Sequence, residues 1–227
     1  MISLRKALTS SVGKKFLMAL TGLGLVVFTI LHLAGNLLLY KKDAAIFNAY
    51  DEKLHTFPNL VVVAEIGLVV LFGLHILSGI LVSIKNKAAR PVGYSETKSK
   101  GGPSRSNVSS KNMIITGSIL LAFLILHLWQ FRFEGAATSK AMEENLYLMV
   151  YTTFKNPLYV AIYMFSMILL GLHLRHGFWS AFQSIGAMNA RIDKPITILG
   201  YVLAILLAVG FLGIPLWLFF DAPGGLQ

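Results

Sequence analysis

Five long apolar runs constrain this chain before anything else does. They cover residues 16–39, 59–84, 112–131, 157–182 and 196–220. About 20 apolar residues, rising 1.5 Å each, cross the hydrocarbon core of a bilayer. A soluble domain cannot bury five such segments. Hydrophobic residues make up 56% of the 227 and charged residues only 13%, against roughly 25% charged in ordinary soluble domains. Lipid leaves an unpaired backbone group without a partner, so the runs read as helices. The short alternating segments of a membrane barrel are absent from the sequence. The expected fold is therefore all-α, a single membrane domain over 1–227 built as a bundle of five transmembrane helices.

The first run is too long for a signal-peptide core and no small-residue cleavage site follows it, so it is expected to be a retained span. The net charge of +10 does not form one basic face. It is divided among the loops, which argues against nucleic acid and sets orientation. With the N-terminus in the cytoplasm, the inner segments 1–15, 85–111 and 183–195 hold thirteen Lys and Arg, and the outer segments hold six. That bias predicts a cytoplasmic N-terminus and a C-terminus outside for a multi-pass membrane protein. The Ser-, Gly- and Lys-rich segment 85–111 reads as a flexible cytoplasmic loop. A short surface helix is expected over 142–151, and Asp193 and Pro195 occupy cap and first-turn positions for the last span. There is no cysteine, which excludes disulfides and thiolate-held iron–sulfur clusters within the chain.

Four histidines stand inside four different runs, in two patterned pairs. Phe28-Thr29-Ile30-Leu31-His32-Leu33 is echoed by Phe123-Leu124-Ile125-Leu126-His127-Leu128. Gly73-Leu74-His75 with Gly79 is echoed by Gly171-Leu172-His173 with Gly177. Depth gives the same pairing. At 1.5 Å per residue, His32 and His127 lie roughly 6–8 Å to the outer side of their span midpoints, and His75 and His173 roughly 4–5 Å to the inner side. Two imidazoles facing each other at one depth are what a six-coordinate haem b iron needs, and an apolar wall buries the macrocycle. The two irons would differ in depth by about 12 Å. Gly79 and Gly177, one turn beyond their histidines, would leave space for a porphyrin edge, and Phe28 and Phe123 could pack on the other porphyrin. A lone histidine in a span more often makes a helix–helix hydrogen bond; four at two matched depths with repeated flanks point to ligation.

Glu65 is the one carboxylate within a span. Acids at that depth are costly and mark functional sites, so it is a candidate for quinone binding or proton transfer. His176 and His55 are assigned no ligand role. Lys14, Lys15, Arg175 and Lys194 on the inner side, and Lys41, Lys42 and Arg132 on the outer side, are the cations available to haem propionates.

Ser11-x-Gly13-Lys14-Lys15, Thr21-Gly22 and His32-Leu33-Ala34-Gly35-Asn36-Leu37 resemble the opening of the cytochrome b558 subunit of succinate dehydrogenase and fumarate reductase. The stretch Leu172-His173-Leu174-Arg175-His176-Gly177-Phe178-Trp179-Ser180 resembles that subunit's fourth helix. The likeness extends over nearly the whole chain. It implies a dihaem membrane anchor with a flavoprotein and an iron–sulfur protein docked on the cytoplasmic face. It implies that His75 and His173 bind the proximal haem and His32 and His127 the distal one. Electrons would then pass between the clusters and a quinone, menaquinone or ubiquinone, near the distal side. Some relatives carry a glutamate just before the fourth-helix histidine for proton transfer; here Leu170-Gly171-Leu172 stands in that place. Two other readings are a cytochrome b anchor of formate dehydrogenase or hydrogenase type, and a haem-free transporter or structural anchor.

Overall fold

The computed structural model describes residues 10–41, 43–89, 112–134 and 145–221. Among the described residues there are seven α-helices: α1 (Ser11–Asn36), α2 (Ala44–His55), α3 (Pro58–Ala88), α4 (Met113–Leu128), α5 (Leu146–Thr153), α6 (Pro157–Ser184) and α7 (Asp193–Phe220). A 3-10 turn, Leu37–Lys41, extends α1, and a π-helical turn, Trp129–Glu134, extends α4. With those extensions, five helices are long and apolar enough to cross a membrane.

Most of the helices start at a local signal, α4 and α7 having no side-chain cap. Ser10 accepts a bond from Gly13 N at 2.9 Å, Asp43 from Ala45 N at 2.9 Å, and Asn156 from Leu158 N at 2.9 Å. These satisfy amides that have no partner within the helix. Pro58 and Pro157 occupy the first positions of α3 and α6, where no amide hydrogen is needed.

α1 and α6 form the centre. α6 packs along α7, α1 and α4, while α3 packs mainly on α1. On α3 and α4 burial runs opposite to that of a soluble helix. Ser78 is the one buried residue of α3 and Thr116 that of α4, whereas Val69 and Ile205 are 72% and 63% exposed. Small polar groups face inward because they have helix partners there, and branched apolar groups face outward because lipid is their solvent.

The densest apolar core lies at one end, between the spans and the two short helices. Leu39, Phe47, Tyr147, Tyr151, Phe154 and Leu218 are nearly inaccessible there. Asn48 joins α2 to α5, donating to Asn145 Oδ1 at 3.1 Å and accepting from Tyr147 N at 3.0 Å. We call this the covered end. The helix expected over 142–151 is α5, shifted to Leu146–Thr153; residues 142–144 lie outside the described residues. α5 is no surface helix, because Tyr147, Met149, Val150 and Tyr151 are all buried. α2 was not expected: its single buried residue, Phe47, gives too weak a period to stand out in a short connection. Asp193 is inside the first turn of α7 and not its cap, and its Oδ1 accepts from Trp179 Nε1 at 3.0 Å. Most of segment 85–111, Lys42 and residues 1–9 lie outside the described residues.

Candidate functional site: two imidazole pairs within the bundle

The histidines meet in two couples. His32 of α1 and His127 of α4 have ring centroids 5.9 Å apart, nearer the covered end. His75 of α3 and His173 of α6 have centroids 6.3 Å apart, nearer the opposite end. The helices that carry each couple scarcely approach one another along their backbones. The rings reach across the space between.

These separations suit a shared iron. With a metal–imidazole bond of about 2.0 Å and a ring centre about 1.2 Å behind its nitrogen, two axial imidazoles have centroids roughly 6.4 Å apart. Among the described residues, no group of three or more His, Asp or Glu could hold a bare ion. Two opposed imidazoles alone suit a metal whose remaining positions a macrocycle fills, as in haem.

The bonds to the other ring nitrogen support the same assignment. Thr116 Oγ1 donates to the backbone carbonyls of Asn112 and Met113, at 3.1 and 3.2 Å. With the hydroxyl proton on those carbonyls, its contact of 3.2 Å with His173 Nδ1 is accepted from an Nδ1–H. Tyr163 Oη donates to Gln130 Oε1 at 2.7 Å, so His127 Nδ1–H donates to Tyr163 at 3.2 Å. His75 Nδ1–H donates to the Met18 carbonyl at 3.1 Å, with Thr21 Oγ1 at 3.5 Å. Asn36 Nδ2, a donor, lies 3.5 Å from His32 Nε2. Leaving aside His32, whose Nε2 faces the Asn36 donor, the rings carry the proton on Nδ1 and the lone pair on Nε2. That is the tautomer of a ligating imidazole whose far nitrogen is held by a partner.

Sequence reasoning missed those partners, and one signal could have found them. Met18, Thr21, Gly22, Phe28 and His32 recur as Met113, Thr116, Gly117, Phe123 and His127 at one constant offset. The repeat brings a Thr-Gly step against the inward histidine of the next long helix each time. A Cβ on Gly22 would lie 3.0 Å from His75 Cε1, and one on Gly117 would lie 3.5 Å from His173 Cε1. So the glycines that crowd these rings are on neighbouring helices. A Cβ on Gly79 or Gly177, the glycines expected to clear a porphyrin edge, would lie 3.9 Å from Met18 Sδ or Met113 Cε, an ordinary contact. Phe28 and Phe123 stack on their own His32 and His127, with centroids 5.3 and 5.8 Å apart.

Glu65 is paired. Arg132 Nε donates to its Oε1 at 3.0 Å and Nη2 to its Oε2 at 3.4 Å, tying α3 to the π-helical turn at the covered end. Arg132, named above among the cations for propionates, is thus engaged by a carboxylate. Arg175 lies over the ring of Tyr201, 5.1 Å from its centroid. His176 is 6.3 Å from the Trp179 ring, and His55 is exposed beside Asp51.

The same turn buries Gln130, which is 6% exposed. Its Oε1 is bonded to Tyr163, but its Nε2 has no partner among the described residues. With Oε1 taking the Tyr163 hydroxyl proton, Nε2 is the end of the amide left over. A buried donor without an acceptor costs about 1–3 kcal/mol. No protein-family model, curated protein or solved structure matches the chain.

Proposed function

We propose that this chain is the dihaem cytochrome b membrane anchor of a succinate:quinone oxidoreductase, of succinate dehydrogenase or fumarate reductase type. The observation that carries the reading is the double coincidence of imidazoles from four helices, with centroids at 5.9 and 6.3 Å. Haem b, when bound, supplies one-electron transfer, which the side chains of this protein cannot perform themselves.

The chain's own residues do the rest. His75 and His173 would hold the proximal group, and His32 and His127 the distal one. Thr116, Tyr163 and the Met18 carbonyl fix the ring tautomers and orientations. The apolar spans keep water from both sites and raise the energetic importance of each remaining hydrogen bond. The loop charges favour an N-terminus in the cytoplasm and a C-terminus outside a bacterial inner membrane. The covered end is then the outer one. A flavoprotein and an iron–sulfur protein would dock at the opposite, cytoplasmic end, and electrons would pass between that partner and a membrane quinone. Glu65, neutralised by Arg132, would belong to the outer quinone region as a charge partner and not as a free base.

The test is the visible spectrum and haem content of the purified protein. Two b-type haems per chain are expected. His75→Leu or His173→Leu should remove the proximal one alone, and His32→Leu or His127→Leu the distal one alone. A chain that assembles without haem, or single variants that keep both haems with two imidazoles each, would end the proposal. Copurification of a flavoprotein and an iron–sulfur protein tests the choice of complex.

A further inference from the structure

We propose that Gln130 is the hydrogen-bond donor that holds a carbonyl oxygen of a bound quinone headgroup, and that Tyr163 links this seat to the His127 imidazole. The inference rests on the quinone-linked reading above and adds the residue and the chemistry of recognition.

The π-helical turn sets the position. Its wider winding is an irregularity found often at functional sites. Within Trp129–Glu134, Trp129, Arg132 and Phe133 are exposed while Gln130 is buried. One end of the amide is already committed, through Oε1, to Tyr163 at 2.7 Å. The other end is a buried N–H donor with no described acceptor. It asks for one neutral or anionic oxygen.

The surroundings choose between the two. Tyr163 sits among Phe123, Phe131 and Phe154, at centroid distances of 4.9, 6.2 and 4.9 Å. The nearby cation on the same turn, Arg132, is already neutralised by Glu65 at 3.0 Å. A carboxylate or phosphate brought here would lack a countercharge and would be penalised by desolvation. A flat, uncharged ring with a carbonyl acceptor meets both the aromatic wall and the single donor. Such a molecule is soluble in lipid and would reach this level of the bundle from the membrane. The seam between α3 and α4 is lightly packed and is bridged at the covered end by the Glu65–Arg132 pair.

The connection to the outer imidazole is direct. Gln130 accepts from Tyr163, and Tyr163 accepts from His127 Nδ1 at 3.2 Å. A ligand oxygen that accepts from the amide N–H polarises the amide and makes Oε1 a stronger acceptor, and the change passes through the hydroxyl to the ring. Binding energies coupled in this way are reciprocal, so the state of His127 would also alter affinity for the ligand.

The experiment uses the full-length protein in lipid nanodiscs and 2-methyl-1,4-naphthoquinone as the probe. Its Kd is measured by equilibrium dialysis for the native protein, Gln130→Met and Gln130→Leu. Loss of one hydrogen bond should raise Kd about tenfold in both variants. In infrared difference spectra, the probe labelled with carbon-13 at its carbonyls should show one carbonyl band at lowered frequency in the native protein. That band requires no variant to fold. Native-like Kd in the variants, within about twofold, or two unshifted carbonyl bands overturns the proposal. So does a variant in which the visible spectrum changes while probe affinity does not, because the amide then serves the imidazole alone. Absence of b-type absorption in the native sample would sink the cytochrome reading, but the dialysis and infrared results would still decide whether Gln130 holds a quinone.

Discussion

Gly22 and Gly117 occupy equivalent places in the internal repeat, yet the structure predicts opposite consequences for the same substitution. A Cβ on Gly117 meets His173 Cε1 at 3.5 Å, an ordinary contact. Gly117→Ala should therefore gain the usual helix-interior benefit, about 0.5–1 kcal/mol. A Cβ on Gly22 meets His75 Cε1 at 3.0 Å and Nδ1 at 3.3 Å. The ring must retreat from α1 by roughly 0.4 Å to restore normal contact. The acceptor of its Nδ1–H is the Met18 carbonyl, one turn back on α1 at 3.1 Å. Retreat stretches that bond to about 3.5 Å, beyond the useful range. A buried N–H left so costs about 1–3 kcal/mol, which exceeds the alanine gain. The two variants should differ by roughly 1.5–3 kcal/mol, and at about 2–4 °C per kcal/mol for a chain of this size the melting temperatures should separate by several degrees. Thermal melts of the detergent-solubilised protein, followed by intrinsic fluorescence, measure this. If Gly22→Ala melts at or above Gly117→Ala, the geometry assigned to His75 is wrong.

Tyr163→Phe should cost about 2–4 kcal/mol, because it strips partners from both His127 Nδ1–H and Gln130 Oε1 in a buried setting; a melt shifted by less than a degree would refute that network. Lys155 donates to the carbonyls of Leu218 at 2.7 Å and Phe219 at 3.2 Å. Lys155→Met should thus loosen the end of α7 by about 1 kcal/mol, seen as faster amide exchange over the last turn and not elsewhere. The Glu65–Arg132 pair is 43% and 60% exposed, so Glu65→Gln should change stability by less than about 1 kcal/mol. A larger loss in denaturation would show that the pair is far better shielded than its exposure indicates.

The last span and the covered end show how sequence and structure divided the problem. Five spans were legible because length and apolarity are local properties, and the observed helices α1, α3, α4, α6 and α7 contain nearly all of the expected segments. Boundaries drifted outward, since caps such as Ser10 and polar end residues such as Lys85 and Lys87 continue the helix after the apolar run stops. The coupling of His32 with His127 and His75 with His173 was legible too, because rise per residue fixes depth whatever the neighbours are.

Azimuth was not legible. Which face of α1 meets α3, and which glycine therefore touches an imidazole, depends on how two helices rotate against each other, and that is settled by the whole bundle. Phe28 on His32 is the contrary case, a contact one turn apart on a single helix. The sequence by itself determined that the chain is a set of apolar helices carrying imidazoles at two levels. Only the tertiary structure decided which partners hold Nδ1 of His75, His127 and His173, that Glu65 is held by Arg132, and that a π-helical turn buries Gln130 beside Tyr163. Those outcomes arise between residues 33 to 67 positions apart, where no local pattern reaches.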